Sequence, residues 1–125
     1  MNIHELDDFT LAYIECALWS STDDAGKPLD DNFDAGDLSP EALKQIIEDC
    51  QDFQDTNKSL INACDYGSQY SKDEYAGHDF WLTRNRHGAG FWDRGLGDLG
   101  HKLTEAAHGY GECSIYVGDD GKLHL

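Results

Sequence analysis

Basic side chains are scarce in this chain. Nine Lys and Arg stand against 25 Asp and Glu, which leaves a net charge of −16. A small domain commonly carries a charge of magnitude about 2–8. Such a surplus repels phosphate backbones and anionic lipid, and so argues against direct binding to nucleic acid or to a membrane surface. It favours a partner protein with a basic surface, including one whose site normally holds nucleic acid.

Other absences narrow the field further. None of the four cysteines, Cys16, Cys50, Cys64 and Cys113, belongs to a C-x-x-C pair, so zinc-ribbon spacing is missing. Three of them fall on apolar positions of expected helices and read as reduced core residues of a cytosolic protein. No stretch approaches the roughly 20 apolar residues of a membrane helix. The opening MNIHELDDF has no basic region followed by an apolar run, so no secretory leader is expected. There is no H-E-x-x-H, no G-x-x-x-x-G-K-[ST] and no nucleophile elbow around Ser20, Ser21 or Ser114. No internal repeat is visible, no cofactor is expected, and the reading leans away from an enzyme.

The charge that is present is uneven. Residues 1–57 hold 15 acidic and 2 basic side chains, and residues 58–125 hold 10 and 7. The first half is an acidic surface, and the second mixes both signs. Either the halves have different tasks, or the acidic half is a solvated face that keeps the chain soluble.

At 125 residues, 39% of them hydrophobic, the chain fits one domain with its own core. The fold expected is α+β, mostly helical, with about four helices and a small C-terminal β-hairpin. A first helix runs from about Asp7 to Ser20, with Phe9, Ala12, Tyr13, Cys16 and Leu18 or Trp19 as its apolar stripe. Residues 21–38 read as a long acidic loop, punctuated by Gly26, Pro28 and Gly36. Ser39 as N-cap and Pro40 at the first helical position open a second helix reaching about residue 64. Its stripe breaks at Thr56-Asn57, which predicts a kink, and Tyr66-Gly67 closes it. The capping-box pattern Ser71-Lys72-Asp73-Glu74 starts a third helix ending near Arg84. A loop over 85–95 follows, then a fourth helix from about Leu96 to His108. Residues 112–125 alternate around Gly118-Asp119-Asp120-Gly121 and read as a hairpin that must pack on the helices.

Two groups of residues are candidates for function. The first is acidic: Asp23, Asp24, Asp30, Asp31, Asp34 and Asp37 in the loop, with Glu48, Asp49, Asp52 and Asp55 on the outer face of the second helix. These are the expected partner-binding residues. The second is the run from His78 to Arg94, which crowds His, Asp, Arg and Trp beside a Gly-Ala-Gly turn. Three readings of it stay open. His78, Asp79, His87 and Asp93 have the chemistry to hold a metal, without a recognised spacing. Arg84, Arg86 and Arg94 with the backbone of Gly88–Gly90 have the donors for an anion or small ligand. Alternatively, Phe80, Trp81, Phe91 and Trp92 are core, and the Arg and Asp are pairs that fix the loop. An enzyme centred here would use His78, Asp79, Arg84, His87, Asp93 and Arg94. Asp30-x-Asn32-x-Asp34 with Glu41 faintly echoes a calcium loop, but Ala35 stands where that loop needs glycine.

The run H-D-F-W-L-T-R-N-x-H-G-A-G-F-W-D-R, His78 to Arg94, resembles the hallmark of a family of small acidic proteins encoded by bacteriophages, prophages and plasmids. Glu15-Cys16-Ala17-Leu18-Trp19-Ser20-Ser21, Ser39-Pro40-Glu41 and Tyr116-Val117-Gly118-Asp119-Asp120-Gly121 extend the resemblance more loosely. The chain departs from the pattern at Arg86, where glycine is expected. The resemblance implies a mobile-element setting rather than a reaction. In that setting a small acidic protein is expected to bind host machinery, restriction or CRISPR effectors included, from the bacterial cytoplasm.

Overall fold

The computed structural model of the chain describes residues 6–64, 70–86 and 90–125, without the side chain of Asp93. The helix stop expected at Tyr66-Gly67 and the segment His87-Gly88-Ala89 lie outside the described residues. The architecture is α+β and mostly helical. Four helices, α1 (Asp8–Ser20), α2 (Pro40–Ala63), α3 (Lys72–Arg84) and α4 (Asp98–His108), precede an antiparallel pair, β1 (Tyr116–Val117) and β2 (Leu123–His124).

Local chemistry explains where the helices begin. Asp7 caps α1 by accepting from the Thr10 amide at 2.8 Å, and Ser39 caps α2 by accepting from Ala42 at 3.1 Å. Ser71 and Glu74 form the expected reciprocal box at the start of α3. The kink in α2 is at Asn57, whose φ/ψ of −115° and 15° leaves the helical region. Its side-chain amide donates to the Phe53 carbonyl four residues back, at 3.0 Å, and keeps that acceptor satisfied where the ladder bends. Helix α4 starts two residues later than expected. Gly95 and Gly97 both take positive φ, so the chain turns twice before Asp98.

Helices α1 and α3 make the largest helix–helix contact. Gly77 permits it: a Cβ there would run into the Phe9 carbonyl of α1. Trp81 reaches across the same interface and donates its indole N–H to Ser20 Oγ at 2.8 Å. The centre of the core is aromatic. Phe53 stacks on Phe80 with ring centroids 4.2 Å apart, and Phe9, Tyr13, Phe91 and Tyr110 pack around them.

The α1 stripe is wider than expected, because α1 is covered by α2, α3 and the turn at Leu29–Asp31. Ile14 and Ala17 are buried with Phe9, Tyr13, Cys16 and Leu18, while Trp19 is 61% exposed. The long loop is not shapeless. Two short 3-10 turns, Leu29–Asp31 and Ala35–Asp37, carry it over α1, with Leu29 buried beneath.

The hairpin packs on the start of α2. Leu38 bridges Leu123 in parallel, and the Ser39 amide donates to the Leu123 carbonyl at 2.8 Å. The strands are shorter than the alternation predicts. The Cys113 amide goes to Asn85 Oδ1 at 2.7 Å instead of to a ladder, and only Ile115 and Leu123 are buried.

Candidate functional site

The acidic group divides by what its carboxylates already hold. Asp23 accepts from the amides of Ala25 and Lys27 at 2.9 and 3.0 Å. Asp34 and Asp37 form a reciprocal box around the turn at 35–37. These three therefore shape the loop's own backbone, as short acidic side chains do. Asp24, Asp30, Asp31 and Glu48 are exposed, and Asp55 is exposed beside Gln51, whose amide donates to it at 2.9 Å. Asp52 accepts from the Tyr110 hydroxyl. Asp49 faces inward and pairs with Arg84 at 2.9 Å. Among the described residues, it alone of the ten lies in a salt bridge.

In the second group the guanidiniums do not converge. Arg84 is 5% exposed and makes four hydrogen bonds, to the carbonyls of Gly111 and Tyr110, to the Tyr13 hydroxyl and to Asp49. It also lies over the rings of Phe80 and Tyr110. Burial works against its charge, but the Tyr13 and Asp49 oxygens outweigh it and hold the guanidinium firmly protonated. Asp79, fully buried, receives Arg94 through Nε and, at 2.9 Å, through Nη2. The Arg94 guanidinium also covers the Tyr75 ring, 4.7 Å from its centroid. Arg86 is exposed, and its φ of 58° makes it the one non-glycine among the described residues with positive φ.

Phe80, Trp81 and Phe91 are core, whereas Trp92, placed with them by sequence, is 56% exposed. Arg84, Asp79 and Arg94 are pairs that fix the packing around them. Of the metal set, His78 lies 3.4 Å from Asp79, while His87 and the Asp93 side chain lie outside the described residues. Among the described residues no three His, Cys, Asp or Glu gather to hold a metal, in the Asp30–Glu41 segment or elsewhere. Burial, with the nearby Asp79 charge, pushes the Cys16 thiol up to about 12, and burial likewise raises Cys50, which disfavours the thiolate at both.

The two groups meet at one feature that the sequence does not announce. A cleft of about 760 Å³ opens between α1, the acidic loop and α3. Leu11, Ile14 and Leu18 give it an apolar floor. Asp30, Phe33 and Asp34 come from the loop, Tyr70, Glu74, Tyr75 and His78 from the α3 side, and Arg94 closes one part. Trp19 stands at the rim with its ring 6.4 Å from that of His78. Residues from both candidate groups therefore border it: Asp30 and Asp34 from one, His78 and Arg94 from the other. Sequence reasoning missed Trp19, Phe33, Tyr70 and Tyr75. The available signal was aromatic side chains in polar surroundings, next to residues that fill the core equally well.

Among the described residues no helix is long and apolar enough to cross a membrane. Compared with known protein families, curated proteins and solved structures, the chain matches none of them.

Proposed function

We propose that this chain is a non-enzymatic, partner-binding protein of a phage or other mobile element, acting in the bacterial cytoplasm. Its acidic half is held against the basic, nucleic-acid-handling surface of a host defence protein of restriction or CRISPR type, whose site it occupies in place of nucleic acid. The observation that carries this reading is the uncompensated charge of the acidic half. Of the eleven carboxylates from Asp23 to Asp55, only Asp49 has a salt-bridge partner among the described residues. The hydrogen bonds made by Asp23, Asp34 and Asp37 hold the loop in shape without neutralising it.

Charge density supports using loop and helix together. Glu48, Asp52 and Asp55 follow one another about 4.5–6 Å apart along α2, given a rise of roughly 1.5 Å per residue. A DNA strand carries a phosphate about every 3.4 Å. The helix alone is sparser than DNA, and the loop carboxylates are needed to approach its field. Asp49 drops out of the contact set, because Arg84 already compensates it.

The alternative, an enzyme or small-ligand site built on His78, Asp79, Arg84, His87, Asp93 and Arg94, is weakened by where the charges point. Arg84 and Asp79 are spent on the protein itself.

The test is a pull-down from bacterial lysates with the tagged chain, eluted by a salt step. A nucleic-acid-handling protein released by moderate salt is the expected result. A variant with Asp24, Asp30, Asp31, Glu48 and Asp55 changed to their amides should no longer capture it. Undiminished capture by that variant would sink the reading.

A further inference from the structure

The α1–α3 cleft is apolar along its floor and acidic along its rim, and this combination selects its occupant. We infer that it seats a short segment of a protein partner, with an apolar side chain on the Leu11–Ile14–Leu18 floor and a neighbouring Arg or Lys at the rim. The inference rests on the partner-binding reading above and narrows it to one part of the surface.

Charge complementarity sets the sign. Glu15, Asp30, Asp34 and Glu74 border the cleft, and the one guanidinium at its edge, Arg94, is held by Asp79. An anionic ligand would meet four carboxylates, so the occupant is cationic. Aromatic chemistry agrees. Trp19 and Tyr70 border the cleft and are 61% and 53% exposed, and a cation over such a face is attracted by the ring quadrupole. The fold already uses this arrangement once: Arg94 lies on the Tyr75 ring while Asp79 takes its donors.

Shape favours a chain segment over a compact small molecule. From Leu11 to Leu18 the floor follows seven residue steps of α1, about 10 Å at helical rise, which is the reach of roughly three extended residues. A partly exposed aromatic beside an apolar floor, ringed by charge, is also how a few anchoring contacts dominate an interface.

The probe is a capped hexapeptide of alternating leucine and arginine, titrated into the ¹⁵N-labelled full chain while the three indole N–H signals are followed. Trp19 borders the cleft, Trp81 is buried against Ser20, and Trp92 is exposed but does not line the cleft. The expected result is a saturating shift of the Trp19 signal with Trp92 unmoved. Replacing the leucines by serine, or the arginines by citrulline, should weaken binding at least ten-fold. Trp19→Ala, at an exposed position, should keep the fold and lose the site, read from the Glu15 and His78 amides. No saturable Trp19 shift, or equal binding of the serine peptide, overturns the inference. Amide substitutions at Glu48 and Asp55, which do not line the cleft, should leave peptide binding within two-fold. Peptide binding combined with empty pull-downs would retire the host-target reading and keep the cleft. A captured partner with no peptide binding would retire the cleft alone.

Discussion

The acidic half and the His78–Arg94 run are both dense in charge, and they use it in opposite ways. Between Asp23 and Asp55 the carboxylates other than Asp49 and Asp52 point to solvent or brace their own turns. In the His78–Arg94 run one charge of each pair is buried and matched: Arg84 by Asp49, and Asp79 by Arg94. The same side-chain types thus serve as surface in one region and as scaffold in the other. What separates them is whether a counter-charge lies within reach at low exposure, a property of the fold that composition does not carry. A charged, aromatic, glycine-rich run is therefore weak grounds for a site until its partners are known.

The strongest way to test that contrast is to remove one cation and one anion of equal prominence in sequence. Arg84→Met leaves Asp49, the Tyr13 hydroxyl and two carbonyls without their donor in a nearly closed setting. Breaking a buried pair from one side commonly costs about 3–5 kcal/mol, and that is the loss expected in urea unfolding. Glu48→Gln, on the open face of α2, should change stability by less than about 0.5 kcal/mol. A similar cost for both would erase the distinction between scaffold and surface.

Asp79→Asn probes the second pair more gently. The amide keeps an acceptor for Arg94 but removes the charge, so a loss of about 1.5–3 kcal/mol is expected. Because Arg94 then holds Tyr75 less firmly, the Tyr75 ring and the adjoining cleft should shift in NMR spectra while the Arg84 network stays in place. An unchanged melting temperature would show that the pair is incidental to packing.

How much of this was legible beforehand depends on whether the information is local. The α2 helix was readable because Ser39, Pro40 and a long apolar period act within a few residues, and its kink showed as the break at Thr56-Asn57. The width of the α1 face was not readable, since a helix covered on several sides loses the contrast that periodicity detects. Leu18 and Trp19 are neighbours of similar hydrophobicity, and only packing decides that Leu18 turns in and Trp19 out. Helix α4 starts two residues beyond the sequence expectation, because no local signal distinguishes one turn at Gly95 from successive turns at Gly95 and Gly97. At the candidate site, the residue types were visible but their choice of partner was not: Arg84 finds Asp49 35 residues away, and Arg94 finds Asp79 15 away. The cleft was the least legible feature, being assembled from α1, the acidic loop and α3.

Alkaline pH offers a smaller test of the buried side. Burial, aided by the Asp79 charge, raises the Cys16 thiol from 9.0 to about 12. A raised acid favours the protonated, folded form, so its contribution is complete below about pH 9 and is lost as pH rises toward 12. Between those limits the unfolded chain holds fewer protons than the native one, and stability falls with pH. For Cys16 alone the loss reaches about 1.4 kcal/mol one unit above the unfolded value. Cys16→Ala should flatten the slope of unfolding free energy between about pH 9 and 10. A slope unaffected by the substitution would place the alkaline sensitivity elsewhere.

The smallest effect concerns a residue between the two regimes. Arg86 is exposed, pairs with no carboxylate among the described residues, and holds a φ of 58° that side chains with a Cβ resist. The backbone at Arg86 adopts a left-handed conformation that glycine takes without steric cost. Arg86→Gly removes the left-handed strain but also frees the unfolded chain, and the two nearly offset. The expected outcome is between no change and about 1 kcal/mol of added stability, read as a small rise in melting temperature. A loss above about 0.5 kcal/mol would mean that the Arg86 side chain holds the turn after α3, which would move it from the exposed group to the scaffold.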